Sequence, residues 1–205
     1  MTALPFHHPD RPAGEFRPLK ALHHFRKLIA DKEDTEQVFH IIAALRGRKF
    51  RKIASSFWHS EKGQRILASN QRLIDVLDDH DSIKKLPAGT VGRAYVDFME
   101  REGLSAAGLE AEYAKFTDAG VRYEDGIDRY GDRLRDTHDM LHVLTGYGRD
   151  ALGEQCVLAS TYAQNRNLGV GFIAYAGGFE LRRRVARSAP IMKAVHEGYH
   201  IGNAA

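Results

Sequence analysis

Apolar positions return every three to four residues along nearly the whole chain, the spacing that lays one face of a helix against a core. Leu19, Leu22, Phe25, Leu28 and Ile29 make such a stripe, with Lys20, Arg26 and Lys27 elsewhere on the helix. Asp34 with Gln37 resembles a capping box, and Gly47 supplies a stop after Val38, Ile41, Ile42 and Leu45. Ser60 is placed to cap a helix carrying Ile66 and Leu67, and another is expected near 71–79. The loop Leu86-Pro87-Ala88-Gly89-Thr90 precedes a helix with Val91, Tyr95, Phe98 and Met99 on one face. After the turn at Gly103-Leu104-Ser105 a helix is expected to about Thr117. Asp125 then caps a helix carrying Ile127, Tyr130 and Leu134. Helices follow over about 137–145 and 149–164, and Pro190 opens a last one with Met192, Val195 and Tyr199 inward.

No segment alternates like a strand and no repeat appears. The expectation is an all-α fold: a single-domain helical bundle over 17–205, mostly of antiparallel helices, with an irregular N-terminal arm over 1–16. One helix is unusual for its small residues: Gly169, Gly171, Ala174, Ala176, Gly177 and Gly178. Each helical glycine costs about 1 kcal/mol relative to alanine. Such a run implies close approach of either another helix backbone or a flat ligand.

Composition narrows the function. Hydrophobic residues make up 43% and charged residues 28% of the 205, ordinary for a globular protein, and the net charge of +3 is too small to indicate nucleic acid. The single cysteine, Cys156, excludes an internal disulfide and sits among apolar neighbours, as a buried inert thiol would. The N-terminus lacks the charged and apolar regions of a signal peptide. The longest uncharged stretch, 167–179, is too short and glycine-rich to span a bilayer. A soluble or peripherally bound protein is expected.

The chemistry concentrates in His138-Asp139-Met140-Leu141-His142, with Glu154 twelve residues on: H-D-x-x-H-x11-E. Histidines at i and i+4 share a helix face and can reach one cation. Gly146-Tyr147-Gly148 breaks the helix, so that a second, antiparallel helix can return Glu154 beside them. Asp139 lies about 100° round from His138 on a continuous helix. It can ligate if the helix starts here, with Thr137 or Asp136 as cap; otherwise it orients a histidine or acts as base. Four such donors suit tetrahedral zinc, and two histidines with one carboxylate suit Fe(II). Arg149 and Asp150, next to the motif's far end, can orient a substrate carboxylate or pair with each other.

A second pattern, His196-Glu197-Gly198-Tyr199-His200, matches the H-E-x-x-H of zinc proteases. Gly198 weakens that helix and no third ligand follows, so a chance match is expected. Arg182, Arg183, Arg184 and Arg187 form a basic cluster that reads as a solvated face or as a contact for phosphate or anionic lipid. The 19–29 helix can pack in the core or rest on a membrane.

Thr137-His138-Asp139-Met140-Leu141-His142-Val143-Leu144-Thr145-Gly146-Tyr147 with Glu154 resembles the signature of the fourth Coq protein of ubiquinone (coenzyme Q) biosynthesis. Leu86 to Tyr95 is similar to that family's Leu-Pro-x-Gly-[Ser/Thr]-x-Gly-Arg segment, and Ile29-Ala30-Asp31 through Ala44-Leu45-Arg46-Gly47 to its first block. The likeness runs from Leu19 to the end. It implies an all-α fold and a part in oxidative decarboxylation of a polyprenylated hydroxybenzoate, the C1 carboxyl being replaced by hydroxyl. It also implies a divalent metal on His138, Asp139, His142 and Glu154; from the donor set zinc is expected, with iron the alternative, and from their positions Asp139 and Arg149 are the catalytic candidates. A hydrophobic groove for an isoprenoid tail would accompany it. The partners implied are the polyprenylated benzoquinone precursor, other ubiquinone biosynthesis proteins, a second copy of the chain and a membrane surface. A cytoplasmic location on the inner membrane is expected, and so is the alternative of a non-catalytic prenyl-lipid-binding scaffold. Family members usually continue into a Trp-Glu-containing tail, whereas the only tryptophan here is Trp58 and the sequence stops at Ala205.

Overall fold

Side-chain caps set several of the helix starts in the computed structural model, which describes residues 4–11, 16–32, 34–69, 71–114, 123–185 and 188–205. Among these residues the chain forms thirteen helices and no strand. In order they are α1 (Pro18–Ala30), α2 (Glu36–Ala44), α3 (Arg48–His59), α4 (Glu61–Ala68), α5 (Leu73–Leu77), α6 (His80–Ile83), α7 (Val91–Glu102), α8 (Ala106–Ala114), α9 (Gly126–Asp136), α10 (His138–Thr145), α11 (Ala151–Asn165), α12 (Leu168–Arg184) and α13 (Ile191–Ala204). Ser60, Thr90, Asp125, Asp150 and Asn167 each accept a main-chain N–H at the start of α4, α7, α9, α11 and α12. Gly103 ends α7 in the left-handed region, at φ 66°. No helix of the described residues is long and apolar enough to cross a membrane.

The structure departs from the expected pattern in places. Asp34 does not cap α2. Its carboxylate accepts from the Gln37 side chain at 2.9 Å, and the helix starts later, with no side-chain cap at Thr35. Helix α3 was not expected, because Arg48, Lys49, Arg51 and Lys52 crowd its first turns, yet Phe50, Ala54 and Trp58 line its buried face. The expected end near Thr117 lies outside the described residues, as does Arg187.

Helix α11 is the centre of the packing, with Cys156, Val157, Ala159 and Ala163 buried on it. Helix α13 lies on it backbone to backbone: a Cβ on Gly198 or Gly202 would overlap the carbonyls of Cys156 and Ser160. The glycine-rich α12 is used the same way. Gly169 faces the Ile42 backbone of α2, where a Cβ would come to 2.5 Å, and Gly171 lies under the Tyr162 ring at 2.8 Å. Helix crossing therefore accounts for these glycines without a ligand.

Residues 4–11, which form no helix or strand, are tied down. Gly126 N–H donates to the Pro5 carbonyl, and His8 N–H to Asp125. Arg11 bridges Asp125 at 2.7 Å and Asp128 at 2.6 Å, with the Arg11 and Asp125 side chains almost wholly buried. Burial alone would push the Asp125 carboxyl up. Arg11 and the main-chain donors outweigh it and hold the group below its ordinary 3.8. Such a depressed carboxylate contributes stability above its unfolded pKa and loses it as pH falls through the folded value. Arg11→Met leaves a buried charge unpaired and is expected to lower unfolding free energy by roughly 3–5 kcal/mol at neutral pH, with a smaller loss of stability on acidification. Urea denaturation of both proteins at neutral and acid pH measures this; equal midpoints at neutral pH would refute it.

Candidate metal centre

Helices α9 and α10 are nearly continuous, divided only at Thr137, whose hydroxyl donates back to the carbonyls of Arg133 and Leu134. Thr137 therefore finishes α9 instead of capping α10. Asp136, the other cap candidate, is buried against Arg135, whose guanidinium donates to it at 2.7 and 2.9 Å. His138 and Asp139 thus open α10, and His142 follows one turn on. The two imidazoles meet edge to face, with centroids 5.1 Å apart at 89°. One donor atom from each of His138, Asp139 and His142 lies within 4.8 Å of the other two.

Glu154 arrives from the other side. Helix α10 ends at Gly146 (φ 75°), the chain turns, and Asp150 caps α11 by accepting from Leu152 and Gly153. This sets Glu154 in the first turn of α11 and splits its carboxylate between the histidines. Oε2 stands 3.4 Å from Nε2 of His138 and Oε1 3.3 Å from Nε2 of His142. The His142 side chain is fully buried, while His138 and Glu154 are 25% and 30% exposed, so the centre opens on their side.

The His142 ring is held from three directions. Nδ1 donates to the Tyr147 carbonyl at 3.0 Å. Phe98 of α7 stacks on the ring at 5.7 Å and 15°. Nε2 is buried and has no aligned hydrogen-bond partner, for all its closeness to Glu154. With the Nδ1 proton given to a carbonyl, Nε2 presents a lone pair, as a metal-ligating histidine does. The electrostatics agree. Burial would push Glu154 up, but the two histidines outweigh it and bring the carboxyl down to about 2. Burial would likewise lower His142, and Glu154 outweighs it, so the ring's pKa rises. The cluster favours positive charge between its three side chains, which a divalent cation supplies as well as protons do. The donor set therefore fits a metal.

Other candidates fall elsewhere. Arg149 stands 4.0 Å from Glu102 at the end of α7, and the Asp150 carboxylate caps α11 instead of pairing with it. His196, Glu197 and His200 are exposed on α13, whose buried side carries Val195, Gly198 and Gly202. His196 and His200 do contact each other, with centroids 4.5 Å apart. Among the described residues, however, the one His/Cys/Asp/Glu group whose donor atoms all lie close enough to share an ion is His138, Asp139 and His142, and Glu154 stands outside that group while reaching both of its histidines. Arg183 and Arg184 pair with Glu180 on the exposed end of α12. Cys156 is buried, and burial pushes its thiol up to about 11, as expected of an inert cysteine. Sequence reasoning missed Phe98 and the Tyr147 carbonyl as partners of His142. Tyr95, expected on the inward face of α7, is wholly buried there, and its hydroxyl pKa is raised by burial and by the charges of Asp139, Asp78 and Asp136.

Comparison with known proteins identifies the family and the fold. The chain is 32% identical over 129 residues to the ubiquinone biosynthesis protein COQ4 homolog, mitochondrial, of Anopheles gambiae, a match covering 61% of this chain and 42% of that one. It is 32% identical over 116 residues to coq-4, mitochondrial, of Neurospora crassa, covering 56% and 31%. The matched stretches thus span less than half of these relatives. A crystal structure from Nostoc punctiforme, named for ubiquinone biosynthesis, superimposes with a TM-score of 0.59 at 18% identity, covering 92% of this chain and 85% of that one, which establishes the shared all-α fold. The family model for coenzyme Q (ubiquinone) biosynthesis protein Coq4 matches residues 26–196, so the chain belongs to the Coq4 family of ubiquinone biosynthesis.

Proposed function

We propose that this protein binds one divalent cation at His138, His142 and Glu154 and acts in ubiquinone biosynthesis as an oxidative decarboxylase of a polyprenylated hydroxybenzoate. The observation that carries the metal reading is the buried, unpartnered Nε2 of His142, aimed where His138 and Glu154 also converge. Asp139 would serve as a fourth donor or as a base. When bound, the cation supplies a Lewis acid for the phenolate or carboxylate oxygen of the ring. Zinc suits the four-donor set, and Fe(II) suits the set with Asp139 released. Exchange of a ring carboxyl for hydroxyl with loss of carbon dioxide removes two electrons from the ring, so an oxidant of the dioxygen class is required as well.

The chain's own residues have three tasks in this reading. His142, clamped by Phe98 and the Tyr147 carbonyl, keeps its lone pair directed. Arg149, half-exposed, meets the substrate carboxylate, for which Glu102 now substitutes. The prenyl tail lies along α12, where Leu168, Gly171, Phe172 and Tyr175 help line an open cavity of about 490 Å³. The precursor would come from a membrane. Phe16, just before α1, and Leu19 and Leu22 on its first turns are exposed at 66%, 82% and 37%, with Lys20, Arg26 and Lys27 on the same helix. Peripheral attachment by this face, and assembly with other ubiquinone enzymes or a second copy, belong to the same proposal.

The purified chain is expected to hold about one zinc or iron per molecule. His142→Ala should lose it and lower C1 turnover on prenylated hydroxybenzoate by on the order of 10²–10³. Metal analysis with product detection reads both, and undiminished turnover without metal loss would sink the mechanism. A second reading, a non-catalytic scaffold, is favoured by the open apolar cavity; it predicts prenyl-lipid binding with no turnover, metal or not. For the membrane face, Leu19→Glu removes about 1.5 kcal/mol or more of apolar burial and should weaken binding to anionic vesicles about tenfold. Vesicle co-sedimentation with unchanged circular dichroism tests it, and equal binding would remove α1 from the interface.

A further inference from the structure

We propose that the turn between α10 and α11 is a positioning element for the metal centre, and that it acts through one atom, the main-chain carbonyl oxygen of Tyr147. The inference rests on the metal reading above and adds what sets the ligand state of His142. A neutral imidazole carries its proton on one nitrogen or the other, and only the unprotonated nitrogen can ligate. The Tyr147 carbonyl, 3.0 Å from Nδ1, can only accept, so it holds the proton there and leaves Nε2 free.

That carbonyl has no freedom to wander. On one side, the turn enters from Gly146 in the left-handed region. On the other, Gly148 lies directly on the first turn of α11: a Cβ on Gly153 would overlap the Gly148 carbonyl oxygen, with its carbon at 2.8 Å and its nitrogen at 3.0 Å. Asp150 pins the same place by accepting from Gly153 N–H at 3.2 Å. Between them the Tyr147 ring packs on the buried cluster of Cys156, Ala159, Ala174 and Val195. Gly153 also directly precedes Glu154. The one backbone contact that places the Tyr147 carbonyl therefore also sets the register of Glu154 against His142. Tyr147 and Gly153 are positioning residues; neither side chain needs to touch a ligand.

The test uses the full chain labelled with ¹⁵N-histidine. In metal-free protein at alkaline pH, where the ring is neutral, long-range ¹H–¹⁵N spectra should show His142 protonated on Nδ1. Gly153→Ala should give mixed tautomers and weaken zinc binding, titrated with zinc alone, by roughly 10–100-fold, the usual loss when a ligand's outer partner is disturbed. Gly202→Ala is the control. It forces an equally close backbone contact apart, against Ser160, so it should lower the melting temperature while leaving tautomer and zinc affinity as in wild type. Should Gly153→Ala fail to fold, Tyr147→Ala keeps the carbonyl but frees the turn, and is expected to shift both readouts in the same direction. Wild-type His142 protonated on Nε2 in a zinc-binding protein would overturn this inference alone. So would wild-type tautomer and affinity in Gly153→Ala. Wild type that binds neither zinc nor Fe(II) would overturn the metal reading and this inference with it.

Discussion

Backbone contact against α11 is the constraint on which the rest depends. Gly198 and Gly202 let α13 settle on the carbonyls of Cys156 and Ser160, and Gly153 lets the preceding turn settle on the helix's own start. Both depend on the missing side chain, and neither tolerates a shift along the helix. The Gly153 contact bears on the first turn of α11, where Glu154 stands between two imidazoles, and the Gly198 and Gly202 contacts hold the later turns of the same helix against α13.

The centre itself is built around unbalanced demands. A carboxylate 30% exposed and an imidazole wholly buried both lose hydration, which disfavours charge on each. Their mutual attraction reverses that preference, so the group as a whole asks for positive charge between its donors. Phe98 closes one face of His142 and the Tyr147 carbonyl claims Nδ1, which leaves a single direction in which that demand can be met. The open side runs past His138 and Glu154.

Much of this was legible in the sequence, and the exceptions have physical reasons. The caps at Ser60 and Asp125 are read correctly because the side chain acts on main-chain atoms only two or three residues away, whereas Asp150, read as a partner for Arg149 or a substrate carboxylate, caps α11. Asp34 offers the same local chemistry, but Gln37 turns its amide to the Asp34 carboxylate, and that in turn faces His24 through Gln37 Oε1 at 2.7 Å. A tertiary contact thus won over a local one. Helix α3 hides because its basic residues dominate composition while only Phe50, Ala54 and Trp58 mark the core face. The glycines of α12 left two readings open, since sequence gives the absence of a side chain but not what fills the space. The Tyr147 carbonyl has no signature at all, being common to every residue.

The two histidine pairs show where local reading stops. His138/His142 and His196/His200 have the same spacing, and both pairs of rings meet edge to face. What separates them is outside the five residues. The first pair lies at a helix start that faces the first turn of another helix, with a carboxylate on that turn and a carbonyl behind one ring. The second pair lies on the outer side of α13, because Gly198 and Gly202 have claimed the inner side for the contact with α11. The glycine that weakens the H-E-x-x-H helix as a metal site is thus the residue that joins α13 to the bundle. Spacing decides whether two imidazoles can meet; the packing of the neighbouring helix decides whether anything can lie between them.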